Sequence, residues 1–211
     1  MKIAFLDTDL VSLCMAHKIL DNLECEIHFF TESAELGMYG EEPGLIDNWP
    51  LLNSSWISSI FSQEPNSDST AVRKSWLKKA ISISLADRNC FFHLRTRITK
   101  INSRTIEFVG AGFAGSGNIF FNHILNQEVT KSENLWYGGT TLEIPKIDNI
   151  LVGKRSDSII EIWSEDKLPT NINWIQQMQW QGTNPKNSID SEINMGMLRG
   201  DEFLNSHVFL K

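Results

Sequence analysis

The stretch from Ile3 to Ser33 constrains the fold more than any other part of the chain. Ile3-Ala-Phe-Leu6 is an apolar run of strand length, and Glu26-Ile-His-Phe-Phe30 is a second. Between them, Leu13 to Leu20 repeats its apolar residues at helical spacing. A strand, a helix and a strand joined by such short connections fold back as two neighbouring parallel strands with the helix across one face. The chain is therefore expected to be an α/β protein that opens on a βαβ unit.

Composition narrows the setting. A length of 211 residues is enough to bury a real core. No apolar run approaches the roughly 18–20 residues that a membrane span needs. Asp7 and Asp9 follow the first strand at once, which spoils a signal-peptide reading, so a soluble, cytoplasmic protein is expected. The net charge of −7 argues against a nucleic-acid partner, because phosphate backbones are bound by a surplus of Lys and Arg. Cys14, Cys25 and Cys90 are odd in number and widely spaced, so they read as reduced, buried thiols. No metal-ligating spacing stands out, and no metal site is expected.

The turn after the first strand carries the chemistry. In a dinucleotide-binding fold that turn reads G-x-G-x-x-G, and the second strand ends in an acid that holds ribose hydroxyls. Here the glycine positions fall on Asp7, Asp9 and Ser12, with Thr8 between the two acids, and the second strand runs out into Thr31-Glu32. On the frame Ile3-Ala-Phe-Leu-Asp-Thr-Asp-Leu-Val-Ser-Leu-Cys-Met-Ala-His-Lys-Ile-Leu20, the chain resembles the FAD-dependent oxidoreductases of the glutathione-reductase type. That group includes amine oxidases, aromatic hydroxylases and lycopene cyclases. The resemblance implies a Rossmann-like fold, FAD as cofactor, and Asp7, Thr8, Asp9, Ser12, Thr31 and Glu32 as the positions facing it. It is specific over residues 3–33 and weak over about 70–125. Two carboxylates beside a pyrophosphate would oppose binding by on the order of 1–4 kcal/mol per charge contact. Cofactor binding and redox activity are thus in question even if the fold is kept, and a non-catalytic binding or scaffolding domain is an alternative.

A further alternative starts from the same carboxylates. Phe5-Leu-Asp7-Thr-Asp9 also resembles the first motif of haloacid-dehalogenase-type phosphohydrolases. That resemblance implies Asp7 as nucleophile, Asp9 as general acid and a Mg²⁺ cofactor. Gly200-Asp201-Glu202 would echo the late acidic motif, and Lys154 is a candidate for the lysine.

Farther along, residues 34–68 form an irregular excursion rich in Gly and Pro, with a short helix expected about Trp56 to Phe61. Ser69 and Thr70 are suited to cap a helix over 71–87, with Val72, Trp76, Leu77, Ala80, Ile81 and Leu85 on its apolar face. Arg73, Lys74, Lys78 and Lys79 are expected on its solvated face. Phe91 to Ile98 alternates like one strand, and Ser103-Arg104 turns it into Thr105 to Val109. Gly110-Ala-Gly112-Phe-Ala-Gly115-Ser-Gly117 satisfies the glycine fingerprint formally, but β-formers follow it, so it reads as a hairpin loop.

The rest is expected to be largely antiparallel sheet. Trp136-Tyr-Gly-Gly139 reads as a turn before strand 140–144, and Ile159 to Trp163 and Asn173 to Trp180 read as paired strands. Trp174, Gln176, Met178 and Trp180 share one face, which could floor a pocket for an apolar small molecule or simply be sheet core. Phe203, Val208 and Phe209 would dock a short last element. His17, His28, His93, His123 and His207 form no evident cluster. The expected organisation is a Rossmann-like domain over 1–125 and a β-rich portion over 126–211 packed on it.

Overall fold

A computed structural model describes residues 1–37, 42–59, 63–111, 115–126 and 134–208, with side chains to residue 206. Phe61, Gly112 and Phe209, which figure among the expectations above, lie outside the described residues. The chain forms a mixed α/β fold of two compact units. Unit 1 takes the described residues of 1–38, 81–128 and 193–211, and unit 2 those of 39–80 and 129–192. One crossing between the units falls at 128/129. The other crossings arise because the excursion after residue 38 belongs to unit 2 and the chain returns to unit 1 at 193.

Unit 1 is built on a parallel sheet. Strands β1 (Lys2–Phe5), β2 (Glu26–Phe30), β3 (Cys90–His93) and β7 (His123–Leu125) lie in the order β3-β2-β1-β7, all parallel. Helix α1 (Leu10–Leu20) joins β1 to β2 as the sequence suggests. One face of this sheet meets an antiparallel meander of β4 (Thr96–Asn102), β5 (Thr105–Gly110) and β6 (Ser116–Phe120). Ala4, Phe30 and Phe121 there close over Ile106 and Phe108 as one core. Ile3, Phe5, Ile27 and Phe29 fill the opposite face and are fully buried.

The glycine-rich segment is the hairpin read from the sequence, since β5 pairs antiparallel with β6 on either side of it. The single strand expected over 91–98 is instead two strands in two sheets. Arg95, at φ 51°, turns the chain between β3 and β4, a bend that the apolar alternation conceals.

Helix α3 (Ser188–Val208) corrects the expected short last element, because it is a single helix of 21 residues. Its Gly196 lies so close to α1 that an added Cβ would stand 2.5 Å from the Val11 carbonyl oxygen and 2.8 Å from Cys14 Cβ. One turn on, Gly200 meets the Lys18 side chain in the same way. Two small residues spaced four apart let the helices approach backbone to side chain, which larger residues would prevent.

Unit 2 holds an antiparallel sheet of β8 (Leu135–Thr141), β9 (Leu151–Lys154), β10 (Ile160–Ser164) and β11 (Gln176–Gln181), ordered β11-β8-β10-β9. Two expectations fail here for one reason. Trp136-Tyr-Gly-Gly139 is strand and not turn, and β10 and β11 do not pair with each other but flank β8. The glycines serve packing: a Cβ at Gly138 would stand 2.7 Å from the ring of Trp163, and one at Gly139 would stand 2.5 Å from the ring of Trp174. Two large indoles, one on each face, need a strand without side chains between them. Met178, with Trp136, Trp163, Leu45 and Ala71, is core, and Trp180 packs against it.

Helix α2 (Lys74–Ala86) starts later than expected. Ala71 forms an isolated bridge with Leu45, and the Thr70 hydroxyl accepts from the Lys154 amide, so neither Ser69 nor Thr70 caps the helix. The expected helix over 56–61 is a 3-10 turn at Ser54–Trp56 in its described part. Lys74 is also misplaced by the sequence reading. Its side chain is 2% exposed and sits between Glu42 (2.6 Å) and Glu192 (2.7 Å). Burial works against its charge, but the two carboxylates outweigh burial and hold its pKa above the ordinary lysine value.

Candidate functional site

The turn between β1 and α1 is where the sequence places its chemistry. Leu6, Asp7 and Thr8 cross from strand to helix, and Asp9 is the N-cap of α1 with extended backbone (φ −74°, ψ 170°). Its Oδ1 accepts from the Ser12 amide at 2.7 Å. The first amides of a helix have no partner within it, and their partial positive charge makes them a natural anion site. Here the chain's own carboxylate takes that place. The motif positions Asp7, Thr8 and Asp9 are half-buried at this turn. Ser12, the third glycine position, is fully buried, and its hydroxyl finds no hydrogen-bond partner among the described residues.

The end of β2 lies elsewhere on the same sheet. The Thr31 hydroxyl accepts from the Ser33 amide at 3.2 Å, and the Thr31 backbone is held by His93 and Thr96. Glu32 is exposed. A pyrophosphate at the first turn would therefore meet the Asp9 carboxylate on the helix amides, with Asp7 close in sequence. The residues present do not fit a dinucleotide held in the usual way.

The phosphohydrolase alternative loses its second motif. Gly200, Asp201 and Glu202 stand inside α3, where Gly200 packs on Lys18 and Asp201 pairs with Lys18 at 3.0 Å. Lys154 ends β9 in unit 2, and its backbone holds Thr70 and Ala71. Among the described residues, no group of three His, Cys, Asp or Glu side chains could hold a metal ion.

One cluster was invisible in the sequence. His28 Nε2 lies 2.7 Å from Glu26 Oε1, and His28 Nδ1 lies 2.8 Å from His93 Nε2. Lys2 Nζ completes the row at 2.8 Å from Glu26 Oε1. A carboxylate only accepts, so neutral His28 carries its proton on Nε2, and His93 must then donate from its own Nε2. His28 stacks on Phe91 and meets Phe121 edge-on, and His93 stacks on Phe30 beside a tilted Phe108. The two-residue period of β2 puts Glu26 and His28 on one face, but the pairing of His28 with His93 depends on β3 lying beside β2.

Burial lowers the pKa of His93 to about 4, helped by the neighbouring His28. Burial also lowers that of His28, against the pull of Glu26. His17, fully buried in α1, bonds the Ile81 carbonyl at 3.3 Å and accepts from Arg88 at 2.9 Å, and burial takes its pKa to about 4 as well. Groups kept neutral by the fold stabilise it fully above their unfolded value of 6.5, and that stability is lost as pH falls from 6.5 towards 4. Urea unfolding midpoints should thus fall steeply over this window, with His17 alone contributing on the order of 3 kcal/mol. A His17→Gln, His93→Gln variant should show a flatter profile, and an unchanged slope would refute this origin.

The thiols of Cys14, Cys25 and Cys90 are buried and form no disulfide. Burial pushes Cys25 up to about 11 and Cys90 to about 12, so neither is poised as a nucleophile.

The fold of this chain is similar to those of solved hydroxylase and monooxygenase structures. The solved structures similar to this chain include p-nitrophenol 4-monooxygenase PnpA from Pseudomonas putida DLL-E4, at TM-score 0.63 and 8% identity over 95% of this chain and 78% of that one. CabE, an aromatic hydroxylase from angucycline biosynthesis, matches at TM-score 0.57 and 8% identity over 95% of this chain. BexE, studied for oxidation during BE-7585A biosynthesis, matches at TM-score 0.58 and 8% identity over 94%. The chain spans 60% of BexE and 62% of CabE. Identities this low show the fold alone. No protein-family model matches the sequence, and no curated protein does. No helix among the described residues is long and apolar enough to cross a membrane.

Proposed function

We propose that this chain is a Rossmann-like relative of the FAD-dependent oxidoreductases of the glutathione-reductase type that serves as a non-catalytic binding module. The carrying observation is the 2.7 Å bond from the Ser12 amide to Asp9 Oδ1, which gives the helix terminus an anion from within the chain. The shared fold with hydroxylases and monooxygenases supports the descent, and the Asp7–Ser12 turn argues against the inherited cofactor. A fold does not carry its usual activity with it when the ligand-facing residues differ.

The test is the visible absorption spectrum of the purified protein, before and after incubation with FAD. The expected result is no bound flavin in either case. An Asp7→Gly, Asp9→Gly, Ser12→Gly variant, with both carboxylates and the cap removed, should bind FAD more tightly than the parent. A parent protein that is yellow and releases flavin on denaturation would overturn the proposal.

A further inference from the structure

Unit 2 contains a cavity of about 410 Å³ on the face of its sheet opposite the Trp163 core. Tyr137 of β8 and Gln177 and Gln179 of β11 line its floor, and Lys167, Leu168 and Thr170 of the β10–β11 connection form its wall. Period-two alternation along β8 and β11 sends these floor residues to the face away from Trp136 and Met178. The wall is anchored. Leu168 and the ring of Trp174 sit on Gly139, where a Cβ would stand 2.9 Å from the one and 2.5 Å from the other. The Trp174 indole donates to the Pro169 carbonyl at 2.8 Å, and the Ile175 amide donates to Thr140 at 2.8 Å. Gly139 thus lets the connection descend onto the sheet and close one end of the cavity.

The polar side chains of the lining share one chemistry. Tyr137, Thr170, Gln177 and Gln179 each offer a donor and an acceptor, and Lys167 offers a cationic donor. None of these five commits its side chain to another described residue. No acidic side chain lines the cavity, although the chain as a whole carries a net charge of −7. Leu168 adds an apolar contact to the wall. Paired donors and acceptors match hydroxyl groups, which also donate and accept, and the lone ammonium matches one carboxylate.

We propose that this cavity binds a small hydroxylated carboxylate of the sugar-acid class. The site lies within unit 2 and is independent of the reading of the Asp7–Ser12 turn, so either can fail alone. Calorimetric titration of the full chain with D-glucuronate and with D-glucose tests it. Glucuronate should bind more tightly than glucose, and the difference should shrink in high salt. Lys167→Met should weaken glucuronate about tenfold, as expected for loss of a charged hydrogen bond, and leave glucose unchanged. Gln177→Leu with Gln179→Leu should abolish both. All these residues are exposed or half-exposed, so the variants should keep the parent's circular dichroism. Absence of glucuronate binding, equal binding of the two sugars, or binding that survives the glutamine changes would overturn the proposal.

Discussion

Replacing Glu161 by alanine should lower the unfolding free energy by about 3–5 kcal/mol, the range for removing one partner of a buried ion pair. Glu161 is fully buried on β10. Its Oε1 accepts from the Gly44 amide at 2.6 Å and from the Trp163 indole at 2.8 Å, and its Oε2 takes the Arg155 guanidinium through Nε (3.0 Å) and Nη2. The carboxylate therefore joins the excursion segment to the sheet at a point with no access to water. Deleting it leaves a guanidinium that is 13% exposed without its counter-charge, and leaves an indole N–H and an amide unsatisfied. Glu161→Gln keeps the Oε1 acceptor and should cost roughly half as much. Denaturant melts followed by tryptophan fluorescence would measure both, and an alanine variant within about 1 kcal/mol of the parent would sink the account.

The second large effect is expected at Gly138. A Cβ there would stand 2.7–2.8 Å from three ring atoms of Trp163, a side chain with no exposure. Trp163 has little room to withdraw, because Trp180 stands edge-on to it at 6.3 Å. Gly138→Ala should cost about 1–3 kcal/mol as overpacking, and Gly138→Val more. Gly117 on β6 is the control, since its Cβ would meet only Phe108 at an ordinary 3.8 Å. Alanine there should be neutral or mildly stabilising, because a strand glycine carries an entropic cost. Equal effects at the two positions would refute the packing argument.

The same glycines show where sequence reasoning reached and where it stopped. The βαβ opening was legible because its signals are local: apolar runs of strand length and helical spacing from Leu13 to Leu20. The hairpin at 110–117 was legible for the same reason. Gly138 and Gly139 misled because their role is set by Trp163 and Trp174, far along the chain, and turn chemistry is only the default use of a glycine pair. Lys74 misled similarly. Its place on a basic helix face says solvent, but Glu42 and Glu192 come from distant segments and make burial tolerable.

Of the candidate site, Asp7, Thr8, Asp9 and Ser12 were named from the register of the motif, and they lie at the turn into α1 and on its first turn. That Asp9 caps α1 by accepting from the Ser12 amide came from the structure alone. The Glu26–His28–His93 row could not be found that way, since strand order is not written in either strand. The oblique signal was the period-two match of Glu26 and His28, which lacks meaning until β3 is placed.

The contact of Gly196 and Gly200 with α1 bears on the timing of folding. Val11, Cys14 and Met15 emerge from the ribosome early, but the helix that covers them follows only after the whole of unit 2 has been made. Until then the opening βαβ unit carries an open apolar flank, and closing it requires a contact across most of the polypeptide. Such late, non-local closure slows folding and lengthens the exposure of nascent chains to aggregation and chaperones. The two glycines of α3 thus act as the final stitch of a unit begun at its other end.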